Sequence, residues 1–242
     1  MRLKVFTVVA AAAMLSLTAA GSAAAQSLGS ASQHTTSRPA QVTGVRLQSA
    51  FLPITNFGQA YSDKQYQSSG SRLRSTHAKL HITSLSCRAF SGEIYISEFG
   101  DTAAAAETFS NPDWESIYPD DFVGQQYLLQ FGSTGAATTV YDQTRARYAA
   151  CHSFSYTSGG ETDHVSLISV SNSKVGGYQA FTVIQSLQLG NSRLPLYLNY
   201  LYVLAGTNIY NLGNGGGTQG EPSTDLMLKL IHRVQALYPH HK

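Results

Sequence analysis

The chain has two cysteines, Cys87 and Cys151, and a bond between them would join points 151 − 87 = 64 residues apart. Cys151 lies near the end of Ser133–Ser155, which reads STGAATTVYDQTRARYAACHSFS. There Ala137, Val140 with Tyr141, Thr144, Tyr148 and Cys151 recur at steps of three and four. That spacing predicts a helix carrying all of them on one buried face. A bond from its last turn to Cys87 would tie the helix to the N-terminal half.

Pairing depends on compartment, and the first residues speak to it. Arg2 and Lys4 precede an uncharged apolar run from Val5 to Ala20, then Ala23-Ala24-Ala25 before Gln26. This is the layout of a secretory signal peptide over residues 1–25. A membrane anchor is the alternative, but the run is short for one and the cleavage pattern argues against it. No cysteine near the site offers a lipid attachment point, and no later stretch is apolar enough to cross a bilayer. In an exported chain two cysteines are most simply one disulfide. Two buried free thiols are the alternative; a zinc site lacks a nearby histidine pair to complete four ligands. The chain-entropy model credits a loop of this length with roughly 4 kcal/mol.

Charged residues are only 12% of the chain. Removing Arg2 and Lys4 with the signal leaves 16 − 2 = 14 basic residues against 14 acidic ones. That balance gives no long-range attraction to nucleic acid or an anionic membrane. The signs are nevertheless segregated. Basic residues from Arg38 to Arg88 face only Asp63, and acidic residues from Glu93 to Asp121 follow without a basic one. The simpler account is that the two regions lie together and neutralise each other; an acidic rim for a cation or basic partner is the sharper one.

Residues 26–42 are Ser/Thr/Ala/Gln-rich and read as a flexible leader. VTGVRLQSAFLPITNFG reads as a short apolar helix ending at Leu52-Pro53. Tyr61–Ser75 reads as a polar surface segment, Leu80–Phe90 as a short helix or strand, and Gly92–Phe99 as a strand. Asp101 is placed to cap a helix over Thr102–Phe109, and Trp114–Asp121 is an irregular loop. Val123, Tyr127, Leu128 and Phe131 suggest a second helix over Phe122–Phe131. Beyond Cys151, strands are expected at Phe154–Tyr156, Val165–Val170, Phe181–Leu189, Leu196–Ala205 and Ile209–Leu212. Glycine turns separate several of them, which makes them antiparallel. Gly213–Gly220 reads as a loop, and a last helix begins at Pro222 with Leu226, Leu230, Ile231, Val234 and Leu237 on one face. The expected class is α+β: a single domain, residues 43–239, with a twisted antiparallel sheet, helices packed on one of its faces, and one disulfide.

Chemistry-bearing motifs are few. Gly215-x-Gly217-x-x-Gly220 has the dinucleotide-loop spacing, but no parallel strand or acidic residue follows, so it reads as a surface loop. There is no nucleophile elbow, zincin helix or phosphate loop. His77, His81, His152, His164 and His232 are scattered, so a Ser/His/Asp set would have to assemble in space. Trp114 and Tyr118, in an acidic loop with Asp113, Glu115, Asp120 and Asp121, are the candidate ligand-binding residues, since aromatic walls stack on ligands. The loop lacks the spacing of a calcium hand. No metal and no cofactor is expected.

Several stretches carry a resemblance. They are Leu52-Pro53 with Phe57-Gly58, Tyr148-Ala149-Ala150-Cys151 with Ser153-Phe154, and Gly176-Gly177-Tyr178-Gln179-Ala180-Phe181. Ala205-Gly206-Thr207-Asn208 and the Pro222 helix ending Val234-Gln235-Ala236-Leu237 complete them. Together they resemble the extracellular sensor domain of PknH-type mycobacterial and actinobacterial receptor Ser/Thr kinases. The resemblance implies a non-enzymatic domain with a twisted antiparallel sheet and a large cleft for an extracellular ligand. The kinase's own domain has two disulfides and this chain has cysteines for one, and no kinase or membrane span is expected here. The sequence therefore reads as a secreted ligand-binding protein, outside the cell or at the cell wall. Its partner would be a small molecule, an envelope component or another protein. A secreted hydrolase and a structural envelope protein are the other readings.

Overall fold

The computed structural model describes residues 43–57, 63–69, 87, 101–110, 123–158, 161–190, 195–217, 219–220 and 222–238. Among these residues eight strands make one antiparallel sheet: β1 (Asp63–Ser69), β2 (Asp101–Ser110), β3 (Val123–Phe131), β4 (Ser153–Ser158), β5 (Glu161–Val175), β6 (Tyr178–Gln188), β7 (Leu196–Ala205) and β8 (Asn208–Gly216). The helices are α1 (Gly44–Gln48), α2 (Thr134–Ala150) and α3 (Thr224–Gln235), with a 3-10 turn at Ile54–Phe57. The strand order is β1-β2-β3-β8-β7-β6-β5-β4. Two meanders, β1 to β3 and β4 to β8, meet where β8 pairs with β3.

The connection between the meanders is α2. It must carry the chain from β3 to the far edge, five inter-strand steps or about 24 Å. A helix of 17 residues is about 25 Å long, so the lengths agree. Ser133 starts it, its hydroxyl accepting from the Ala136 N–H at 3.2 Å. Ala137, Val140, Tyr141, Thr144 and Tyr148 are buried, the face read from their spacing. Cys151, just past the last turn, is bonded to Cys87.

Beneath α2 lies an aromatic stack. Phe181 sits 5.0 Å from Tyr141 edge-on and 4.7 Å from Tyr202 face to face. The Tyr148 and Tyr202 hydroxyls hydrogen-bond at 2.9 Å, which gives each buried phenol a partner. Even-numbered β7 residues Leu196 to Tyr202 join this core. Odd-numbered Leu201, Val203 and Ala205 point the other way, into a second core with α1 and α3. The helices thus cover both faces of the sheet, not one. The expected α+β layering is corrected to a sheet-dominated fold with α2 on one face and α1 and α3 on the other.

Other expectations are overturned too. Thr102–Phe109 is not a helix capped by Asp101 but part of β2. Its alanines favour helix intrinsically, yet Ala103, Ala104, Ala105 and Ala106 are all buried, on alternating faces. A strand buried on both sides has room there for small side chains, and packing overrides propensity. Phe122–Phe131 is likewise a strand from Val123: Leu128 enters one core and Phe131 the other, which hides the period of two. Within Tyr61–Ser75, read as a surface segment, lies strand β1. Within Gly213–Gly220, read as a loop, β8 runs on to Gly216. The first helix stops at Gln48, before Leu52-Pro53. The last starts after Ser223, whose hydroxyl caps the Leu226 N–H.

The β5–β6 turn needs glycine. Gly176 has φ of 56°, and a β-carbon there would meet Leu228 of α3 at 2.5 Å. β1 and β2, one from the basic and one from the acidic stretch of the chain, are paired neighbours. Leu80–Phe90 apart from Cys87, Gly92–Phe99, the leader and the signal segment lie outside the described residues. Among the described residues no helix is long and apolar enough to cross a membrane.

Two predictions follow from this core. Because the disulfide closes a 64-residue loop, reducing it should cost roughly 4 kcal/mol. Denaturant unfolding of the oxidised and reduced protein measures this; equal midpoints would contradict it. Burial pushes the Tyr148 phenol up from 10.0 to about 12 and Tyr202 well above its ordinary value. The unfolded chain therefore releases these protons first, so their stabilisation is full below about pH 10 and lost as pH rises toward 12. Alkaline unfolding followed by circular dichroism should coincide with tyrosinate absorbance from the buried phenols. Their ionisation near pH 10 in a still-folded protein would contradict it.

Candidate functional site

The face carrying α1 and α3 changes character along its length. α3 packs on the end marked by Val175, Ala180, Val203 and Ala205. Towards the other end, register aligns side chains in rows across the sheet. One row is Thr182, Leu201, Leu212 and Gln126. The next is Ile184, Asn199, Asn214 and Gly124. Beyond it come Ser166, Ser186, Tyr197 and Gly216. Alternation along each strand puts all three rows on the face of Leu201 and Leu212.

The middle row holds the anomaly. Asn199 is 1% exposed and Asn214, directly opposite on β8, is half-buried. The side-chain oxygens of both are buried without a hydrogen-bond partner. An unpaired buried acceptor costs roughly 1–3 kcal/mol, so two side by side are unusual in a folded domain. Around them Ile184, and Ser186 and Tyr197 of the next row, are only half-buried, so the sheet face beside the pair approaches solvent.

The walls of this recess are well held. Gln126, in the row below, clamps the N-terminal segment: the Leu52 N–H donates to its Oε1 at 3.0 Å and its Nε2 donates to the Leu52 carbonyl at 2.9 Å. The same Nε2 donates to the buried Glu107 carboxylate. At the β3 end the Phe109 ring lies against Gly124, where a β-carbon would sit 2.0 Å from its Cε2. Phe57 packs on that ring at a centroid distance of 4.7 Å. Arg233 of α3 fixes α1 by donating to the Ala50 carbonyl at 2.7 Å.

On the opposite face two buried amides pair with each other. Gln125 donates to Asn211 at 2.6 Å. The Gln125 side chain and the Tyr200 ring lie over Gly213, within 3 Å of where a β-carbon would be. These contacts complete the core and leave no acceptor waiting for a partner among those side chains.

Trp114 and Tyr118, the aromatic pair read from the sequence, lie outside the described residues with the acidic loop around them. Cys87 and Cys151 are joined. Ser155 and His164, opposite each other on β4 and β5, share a hydrogen bond of 2.6 Å. Among the described residues no carboxylate orients that imidazole, and no three acidic, histidine or cysteine side chains converge on a metal position. Sequence reasoning missed Asn199 and Asn214. The available signal was an amide inside the otherwise apolar strand LYLNYLYVLA.

No protein-family model and no curated protein matches the chain. Among solved structures it is similar to the extracellular domain of PknH from Mycobacterium tuberculosis. The TM-score is 0.59 at 15% identity, over 82% of this chain and 98% of that one. At that identity the likeness is one of fold, spanning nearly the whole of the neighbour's domain.

Proposed function

We propose that the protein is a secreted, non-enzymatic ligand-binding domain that works outside the cell or at the cell wall. The observation that carries this reading is the Asn199–Asn214 pair, two buried acceptors without partners on a half-open sheet face. Such groups are retained at a cost, and a ligand that donates to them offsets it. The fold likeness to the extracellular part of a receptor supports the same reading, as do the disulfide and the signal-like first 25 residues. A hydrolase reading would draw on Ser155–His164, but that pair has no orienting acid among the described residues. It is accounted for as a cross-strand contact between neighbouring strands.

The test is thermal melting of the oxidised protein, without residues 1–25, against cell-wall fragments, lipids, neutral and charged sugars, and Ca²⁺. A ligand that binds only the folded state raises the midpoint with its concentration. At 100 times its dissociation constant the gain is about 2.7 kcal/mol. A concentration-dependent rise with one class is expected. A flat response throughout, or catalytic turnover of any compound abolished by Ser155→Ala, would contradict the reading.

A further inference from the structure

We infer that the recess takes a neutral polyhydroxyl compound, of the carbohydrate class, held by hydroxyl protons donated to Asn199 and Asn214. This rests on the ligand-binding reading above and specifies its chemistry. The unpaired atoms are carboxamide oxygens, which a donating ligand satisfies. Two of them side by side on adjacent strands ask for two donors side by side, as neighbouring hydroxyls on a ring supply.

The surroundings select against charge. The three rows from Ser166 to Gln126 hold hydroxyl, amide, glycine and apolar side chains and no ionised group. Among the described residues the carboxylate of this face is Glu107, which is 1% exposed and accepts from Gln126. Among these described side chains a charged ligand would lose its hydration without meeting an opposite charge. A polyol exchanges its water hydrogen bonds for equivalent ones, since hydroxyls and carboxamides both donate and accept. The face also continues outward as hydroxyls: Ser166, Ser169, Ser171 and Ser173 of β5 stand on the same side, within reach of a ligand longer than one ring. Half-buried Tyr197 offers a ring for the ligand's C–H surface.

The test is calorimetric titration of the oxidised full-length domain with glucose, myo-inositol and maltose, with glucosamine and glucuronate as charged counterparts. The same titrations are run on Asn199→Leu, Asn214→Ala and, as a control on the α2 side, Asn172→Ala. The expected result is binding of at least one neutral compound, weakened at least about fivefold by either recess substitution, as loss of one hydrogen bond implies, and unchanged in the control. Asn214 is half-buried, so Asn214→Ala keeps the test open if Asn199→Leu does not fold. Binding of charged compounds alone, or of neutral ones unaffected by both recess substitutions, overturns this inference and leaves the ligand-binding reading standing. No binding of these sugars, with Asn199→Leu raising the melting point, overturns it by marking the pair as a hydrated structural defect. The wider ligand panel then decides separately whether the protein binds anything.

Discussion

The fold depends on α2 reaching from β3 to the far edge of the sheet. Only then can the second meander return strand by strand until β8 pairs with β3 and closes the order β1-β2-β3-β8-β7-β6-β5-β4. The helix is held at three places. Ser133 caps its start, Tyr148 bonds Tyr202 near its end, and the Cys87–Cys151 link fixes its exit. Burial of Tyr141, Phe181 and Tyr202 between helix and sheet is the main source of its stability, since apolar area removed from water is the dominant favourable term in folding.

One consequence is that the sheet is packed differently on its two sides. The α2 side is aromatic, with Gln125 paired to Asn211 and Tyr148 to Tyr202. The α1 and α3 side is apolar where those helices lie on it, and gives way to amides and hydroxyls towards the far end of β6, β7 and β8. A fold anchored so firmly on one face can carry unpaired acceptors on the other, because the anchored side offsets their cost.

What was legible in the sequence follows from this. The α2 face could be read residue by residue, because a helix covering a sheet keeps one apolar stripe. Strands β5 to β8 could be read because glycine turns mark their ends. β2 and β3 could not: both are buried on two faces, so alternation vanishes, and the alanines of β2 point to helix on propensity alone. The placement of helices on both faces was equally hidden, since β7 is apolar at nearly every position and its two sides separate only once register is known. Asn199 stands in that strand as a single polar letter, and its pairing with Asn214 is a fact of β7–β8 register that no periodicity carries. The unmatched sequence comparisons have the same cause. Packing at this distance preserves the pattern of burial and not the identity of residues, which is what 15% identity over a shared fold describes.

The most direct test of the central claim is a high-resolution crystal structure of the oxidised protein grown with glucose or myo-inositol. The account predicts ligand oxygens within hydrogen-bond distance of both the Asn199 and the Asn214 side chains, with Tyr197 against the ring. A ligand bound elsewhere, or carboxamides turned to pair with protein groups in a closed recess, would contradict it.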